Sequence, residues 1–483
     1  MIQMVIVFSP ICIWKNSPYI KIEYFMKPII FFARFLMVST LMLPFSHICM
    51  SADADLTGGP PSETPDRIML NPTGDPSTGY SVTWRTSTNI LTGWAEIAEA
   101  YDAPGFSKKA VRVKAKSQIL KLKKAEYNPD IQAHFHTVAF QDLEPSTQYA
   151  YRVGDGRNSF SEWFHFTTAS QGFDPFSFVY VGDAQNGILS HWSRLIRQSV
   201  FSAPDMRFLL HAGDLINSAH MDDEWGQWFK ATGWTHGTIP AVAVPGNHEY
   251  GDLKIDDKAV RSLSIQWQPQ FEFPTYPELP DSIKETAYHF EYQGVLFVCL
   301  NSMAEIGKQA AWMDKILSNS NHQWKVVAFH YPIFASAVNR DNLKLRKSWM
   351  PILEKNNVDL VLQGHDHTYA RGHTRDTKAG PIKEYTKSVY VNSVSGSKMY
   401  TVKPDRWDGY ADDNIIMDRM AENTQLFQVL SFEHRKLSYK AVTATGKVYD
   451  GFELEKLGNG AKLLTNDTIV STPERKFKNT IPY

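Results

Sequence analysis

Five short clusters of Asp, Asn and His recur along this chain, each at the end of an apolar run of strand length. Phe178-Val-Tyr-Val181 runs into Gly182-Asp183-Ala184-Gln185, and Phe208-Leu-Leu210 into His211-Ala-Gly213-Asp214. Val242-Ala-Val244 ends in Pro245-Gly246-Asn247-His248-Glu249, Val326-Val-Ala-Phe329 in His330-Tyr-Pro332, and Leu360-Val-Leu362 in Gln363-Gly364-His365-Asp366-His367. Carboxylate, amide oxygen and imidazole suit Zn, Fe, Mn or Ni, and a thiolate site is excluded because Cys299 stands alone in this region. Asp183, Asp214, Asn247, His330, His365 and His367 are too many for one tetrahedral ion. They fit two metals that share a bridging carboxylate, roughly 3.5–4 Å apart. Each cluster alone has a bland reading, as a turn, a helix cap or a core histidine. Their repetition at strand ends is what points to a metal site, because ligands gather at the carboxyl ends of strands in open α/β sheets.

The elements that must position these residues fall into two modules. In residues 171–455, short buried strands alternate with amphipathic stretches such as Lys308–Ser318 and Leu343–Lys355, which argues an α/β or layered α/β/α domain. Residues 65–170 read as all-β. Tyr80-Ser-Val-Thr-Trp84 alternates apolar and polar, and Leu143-Glu-Pro145-Ser-Thr147-Gln-Tyr149 resembles the corner of fibronectin type III sandwiches, where a tyrosine ties a turn to the next strand. No catalytic constellation is visible there, so a packing and spacing role is favoured over a substrate- or partner-facing one. Residues 456–483 form a polar tail with few periodic apolar positions.

Residues 1–54 read as an address. The apolar run Ile29 to Phe45 follows Lys27 and ends near Ser51-Ala52-Asp53-Ala54, the anatomy of a secretory signal, with an uncleaved anchor as the alternative. Cys12 and Cys49 lie in that segment, so the mature chain keeps Cys299 alone and forms no internal disulfide. The expected location is periplasmic, cell-surface or secreted, with no stable membrane span in the mature chain. Lys and Arg number 50 against 51 Asp and Glu, so no basic excess invites a nucleic acid.

The five clusters resemble the five blocks of the calcineurin-like metallophosphoesterases. Within that superfamily the chain resembles the purple acid phosphatases. The β-rich module in front, Tyr369-x-Arg371 after the last block, and Gln309-x-x-Trp312-Met-x-x-x-Leu317 on a helix support this. The resemblance implies a four-layer α/β/β/α domain behind a fibronectin type III-like β-sandwich. It implies that metal one takes Asp183, Asp214 and His367, and that metal two takes Asp214, Asn247, His330 and His365. His248 is then the histidine beside the phosphate and leaving group, with Glu249 either orienting it or serving as a helix-start charge. Asn247 and His248 would contact substrate, Tyr369 and Arg371 would line its pocket, and His211 and His220 would be structural.

Three departures from the family pattern stand out. The position three after the bridging Asp, a tyrosine that colours the ferric enzymes, is Asn217. The position two after the first Asp, a histidine ligand in other metallophosphoesterases, is Gln185. Either amide could substitute, and the loss of an anionic phenolate leans the pair toward Mn, Zn or Fe(II). Histidines that plant-type relatives carry after His330 are replaced by Asn339-Arg340, where Arg340 could clamp a phosphate oxygen. The implied reaction is hydrolysis of a small phosphomonoester by direct attack of a metal-bound hydroxide. No Cys-x5-Arg loop, Gly-x-Ser-x-Gly elbow or P-loop argues for another route. A phosphodiesterase or nucleotidase on the same scaffold, or a non-catalytic binding protein that keeps the fold, is the alternative. Oligomeric state is not legible.

Overall fold

The computed structural model describes residues 59–122, 131–255, 258–403, 405, 407–467, 470 and 472–476. The leader expected over residues 1–54 lies outside the described residues, as do parts of the tail. No described helix is long and apolar enough to cross a membrane.

Two four-stranded sheets face each other in the N-terminal module. One orders Asp66–Pro72, Tyr80–Ser87, Ile131–Phe140 and Lys116–Leu122, and the other Val111–Lys114, Trp94–Glu99, Gln148–Gly154 and Phe164–Thr167. Alternating residues fill the space between them, among them Tyr80, Val82, Trp84, Tyr151 and Phe166. The expected corner is present: the Glu144 backbone N–H donates to Tyr149 Oη at 2.9 Å.

Two seven-stranded mixed sheets build the second module. The first runs Ala241–Ala243, Leu209–His211, Phe176–Val181, Leu426–Phe432, Lys436–Thr443, Val448–Lys456 and Lys462–Asn466. The second runs Tyr288–Tyr292, Val295–Cys299, Trp324–Ala328, Leu360–Gln363, Thr386–Asn392, Tyr369–Arg375 and Ile415–Ala421. Side-chain alternation decides which core each residue joins. In the second sheet Phe297, Val326 and Leu360 face the first sheet and stack on Phe178, Phe208 and Phe432. Their neighbours Leu296, Val327 and Val361 face outward onto Trp312 and Leu317 of helix Ile306–Ser318 and Trp349 and Leu353 of helix Leu343–Lys355. Helices Ser193–Ser202 and Asp222–Thr232 cover the far side of the first sheet through Leu195, Ile196, Trp225 and Trp228. The result is the four-layer α/β/β/α arrangement.

The tail boundary differs from the sequence reading. Lys462–Asn466 pairs antiparallel with Val448–Lys456, so the layered domain extends past residue 455. Leu464 is the one buried apolar residue of this strand, too few to show a period of two in sequence.

The modules meet through buried polar contacts. Arg67 donates through both terminal nitrogens to Asp222, at 2.7 and 2.8 Å. Tyr151 Oη donates to the Gly237 carbonyl at 2.6 Å, and Asn71 Nδ2 to the Ala241 carbonyl at 2.9 Å.

Candidate metal centre

Five strand ends converge, three from one sheet and two from the other. Parallel strands Phe176–Val181, Leu209–His211 and Ala241–Ala243 deliver Asp183, Asp214 and Asn247. Parallel strands Trp324–Ala328 and Leu360–Gln363 deliver His330, His365 and His367. Two overlapping groups form. Ligand atoms of Asp183, Asp214 and His367 lie within 4.8 Å of one another, and so do those of Asp214, His330 and His365. Asp214 belongs to both. Asn247 Oδ1 stands 3.3 Å from His330 Nε2, which places it with the second group.

The backbone is bent to achieve this. Asp183, Asp214, His365 and His367 all have positive φ, at 53°, 52°, 77° and 48°. Non-glycine residues hold such conformations only where their surroundings enforce them, commonly at functional sites. Gly246 and Gly364 provide clearance: a Cβ on either would collide with the Asp214 or Asp183 carboxylate.

Backbone carbonyls orient three of the imidazoles. Nδ1 of His330 donates to the Ala212 carbonyl at 2.8 Å, and Nδ1 of His367 to the Lys398 carbonyl at 2.9 Å. Nδ1 of His248 donates to the Asn217 carbonyl at 2.6 Å. A carbonyl only accepts, so each Nδ1 carries a proton, and in the neutral ring Nε2 keeps its lone pair. His248 is held a second time, its backbone N–H donating to Asp214 Oδ1 at 2.9 Å.

The electrostatics call for a cation. Burial, with Asp214 adding repulsion, drives Asp183 well above the usual carboxylate range. Burial disfavours charge on both Asp214 and His330. Even so, their contact, 3.2 Å between His330 Nε2 and Asp214 Oδ2, lowers Asp214 and pushes His330 up to about 9. Burial instead lowers His367, to about 3, and His365 further. Two buried carboxyl groups beside buried imidazoles, one of them sharing a proton with Asp214 that a cation would replace, make a donor set that fits metal cations.

Gln185 lies inside the first group. Its Nε2 is 2.9 Å from Asp214 Oδ2 and 2.8 Å from His367 Nε2, while its Oε1 is buried with no hydrogen-bond partner. Rotating the amide by half a turn exchanges the two atoms and turns Oε1, an oxygen donor that could serve a cation, toward Asp214 and His367. Asn217 is elsewhere. Its side chain reaches Ser218, and its contribution is the carbonyl that holds His248.

Tyr369 and Arg371 do not line a substrate pocket, which corrects the sequence expectation. Both are buried, and both bind Asp450: Tyr369 Oη at 2.6 Å, and Arg371 Nε and Nη2 at 2.6 and 3.0 Å. Residues 369 and 371 share one face of their strand, and that face looks across to the other sheet, where Asp450 sits in Val448–Lys456. They tie the sheets together.

Glu249 also departs from both readings offered for it. It does not touch His248. Oε2 accepts the backbone N–H groups of Asp214 and Gly246, at 2.9 and 2.6 Å, and Oε1 those of Leu215 and Ile216, at 2.8 and 3.3 Å. Burial, then Asp214, pushes its carboxyl up to about 7. His211 is buried against Trp228 and His236, and His220 is buried beside the Gly251 carbonyl.

Cationic and aromatic side chains rim the cluster. Arg340 donates to the His365 carbonyl at 2.8 Å and lies 4.8 Å from the Tyr400 ring, which packs against His367. Tyr331 packs against His365 at 4.2 Å. Arg261, from hairpin Tyr250–Ile255 and Lys258–Leu263, donates to the Asn247 carbonyl at 3.0 Å. It lines an open cleft of about 290 Å³ together with Asn217, His220, Asn247 and His248. Sequence reasoning missed Arg261 and Tyr400 because neither follows a strand with a recognisable cluster.

Residues 65–168 match the family described as Purple acid Phosphatase, N-terminal domain, and residues 176–369 match Calcineurin-like phosphoesterase. Purple acid phosphatase 5 of Arabidopsis thaliana is 23% identical over 399 residues, covering 78% of this chain and 87% of that one. Fe(3+)-Zn(2+) purple acid phosphatase 12 of the same plant is 23% identical, covering 64% of this chain and 66% of that one. A purple acid phosphatase from yellow lupin (Lupinus luteus) seeds shares the fold with a TM-score of 0.66 at 17% identity, over 87% of this chain and 78% of that one. Fold and family matches together define a metal-dependent phosphoric ester hydrolase. The chain is a purple acid phosphatase-like member of the calcineurin-like phosphoesterases.

Proposed function

We propose that the chain hydrolyses small phosphomonoesters at a centre of two metal ions. Asp183, Asp214 and His367, with Gln185, would hold one ion, and Asp214, Asn247, His330 and His365 the other. The observation that carries this is the membership of Asp214 in both ligand groups. A bound metal pair supplies neutralisation of the phosphoryl oxygens and an acidified water.

The chain's own residues do the rest. His248, fixed through Nδ1 on Asn217, lines the open cleft and would use Nε2 to bind a phosphoryl oxygen or protonate the leaving oxygen. Arg340 and Arg261 stand on different sides of the cluster and bring positive charge to an anionic substrate. No side-chain nucleophile is required. Cys299, the described thiol, is fully buried in a strand, and burial pushes it up to about 12, so it offers no thiolate. Asn217 leaves iron without a phenolate from that position, which favours Mn, Zn or Fe(II) as occupants. The apolar run Ile29 to Phe45 and the small-residue site after it support export.

The deciding experiment is phosphate release from an aryl phosphate by the full chain, stripped of metal and reloaded with Zn, Mn or Fe. Metal-dependent turnover that is lost in Asn247→Ala supports the reading. Two bound metals without turnover of monoesters would overturn it, and diester hydrolysis under the same conditions would replace it.

A further inference from the structure

Beside Gln185 a second cleft opens, of about 470 Å³, walled by Asn186, Ser190, His191, Arg194, Lys398 and Gln425. It lies next to the cluster. Asn186 follows Gln185 in the chain, Ser397 Oγ donates to the Asn186 carbonyl at 2.5 Å, and the Lys398 carbonyl holds His367. No carboxylate stands in its wall. Arg194 Nε and Nη2 both donate to the neutral Gln425 Oε1, at 3.1 and 2.6 Å, so its charge meets no carboxylate among the described residues. Lys398 Nζ lies 5.7 Å from the centre of the Tyr400 ring and likewise makes no ion pair among the described residues. Arg340 rests on that same ring at 4.8 Å. Arg340 is paired with Asp366, 3.7 Å away, so the cations without a carboxylate partner among the described residues are the two in the cleft, Arg194 and Lys398.

Cations grouped without acidic partners repel one another and are stabilised by an anion from solution. The two types complement each other: a guanidinium forks onto a phosphate, and an ammonium adds a point charge. A leaving group with no anionic substituent makes no use of either.

We propose that this cleft is a second anion subsite, and that preferred substrates carry a second phosphate on the leaving group, held by Arg194 and Lys398. This rests on the phosphoesterase reading above. Such substrates are doubly phosphorylated small molecules in which a spacer separates the scissile phosphate from the held one.

The test uses metal-loaded full chain and a ladder of straight-chain diol bisphosphates of increasing length, each compared with its monophosphate. The expected result is one favoured length, at which the bisphosphate has the higher kcat/KM. Arg194→Gln should raise KM for that bisphosphate by about tenfold or more, the scale of one lost charge-assisted hydrogen bond. Aryl phosphate turnover should stay unchanged, and Arg194→Lys should restore part of the KM. No preferred length, or equal losses on mono- and bisphosphate, would overturn the subsite. Failure of aryl phosphate hydrolysis by the unmutated holoprotein would sink the phosphoesterase reading instead. In that event, calorimetry with the matching non-hydrolysable bisphosphonate still decides: tighter binding than the monophosphonate, lost in Arg194→Gln, keeps the subsite, and equal binding removes it.

Discussion

The carboxylate of Glu249 accepts the backbone N–H of Asp214 at 2.9 Å, so an acid from one strand end sets the position of the shared acid from the next. It also takes the N–H groups of Leu215, Ile216 and Gly246, which closes the turns on either side. The positive φ at Asp214 is held in place by these contacts.

Glu249→Gln keeps the size but turns one oxygen into an NH2 group facing N–H donors. Weaker metal retention should follow, by about 10–100-fold, the scale seen when groups that orient metal ligands are removed. Competition with a chelator, read by metal content, checks it. Unchanged affinity would show that the Asp214 turn holds itself.

Gln185 makes a separate prediction. Gln185→Ala removes an amide that touches Asp214 and His367. The Asp183 side should lose its ion first during dialysis, leaving about one metal per chain where two were bound. Gln185→His should retain both. Loss of both ions together in Gln185→Ala would mean that the two halves are not separable.

At the module interface, Arg67 and Asp222 are both buried, with side chains 3% and 7% exposed. Asp222→Ala strands the Arg67 charge and should cost about 3–5 kcal/mol in urea unfolding. Replacing both, Arg67→Met with Asp222→Leu, should recover part of that loss. A small effect of the single change would show that Gln270, 3.3 Å from Arg67, suffices as a partner.

Acid should act through His136. It is buried in the sandwich, with Nε2 2.7 Å from Thr86 Oγ1 and Nδ1 2.8 Å from Ser117 Oγ. Burial, then His134, lowers its pKa from 6.5 to about 4. The folded value is the lower one, so the unfolded chain takes up this proton first as pH falls. Stability from this group is full above about 6.5 and is lost progressively toward pH 4, about 3 kcal/mol in all. His136→Gln keeps polar partners without titrating. Its Tm should fall less than that of the unmutated chain between pH 7 and pH 4, and parallel falls would refute the assignment.

Much of this protein was legible in its residues. Strand-end clusters name candidate ligands because the continuous apolar run of a buried strand must stop where polar groups begin, and the types of those groups restrict what they can bind. Helical spacing of apolar positions located helix Leu343–Lys355, and short apolar runs located the strands around the site. Tertiary structure alone decided the rest. It divides the five strands between two sheets, so that His330 and His365 arrive opposite Asp183, Asp214 and Asn247. It turns Tyr369 and Arg371 inward to Asp450, since which face of a strand is covered depends on the sheet packed against it. It gives Glu249 to the Asp214 turn rather than to His248, because unpaired backbone N–H groups carry no signature in the residue types around them. It also brings Arg194 and Lys398, over two hundred positions apart in the chain, to one cleft, a pairing that only the packing of helix Ser193–Ser202 beside the strand-end loops can create.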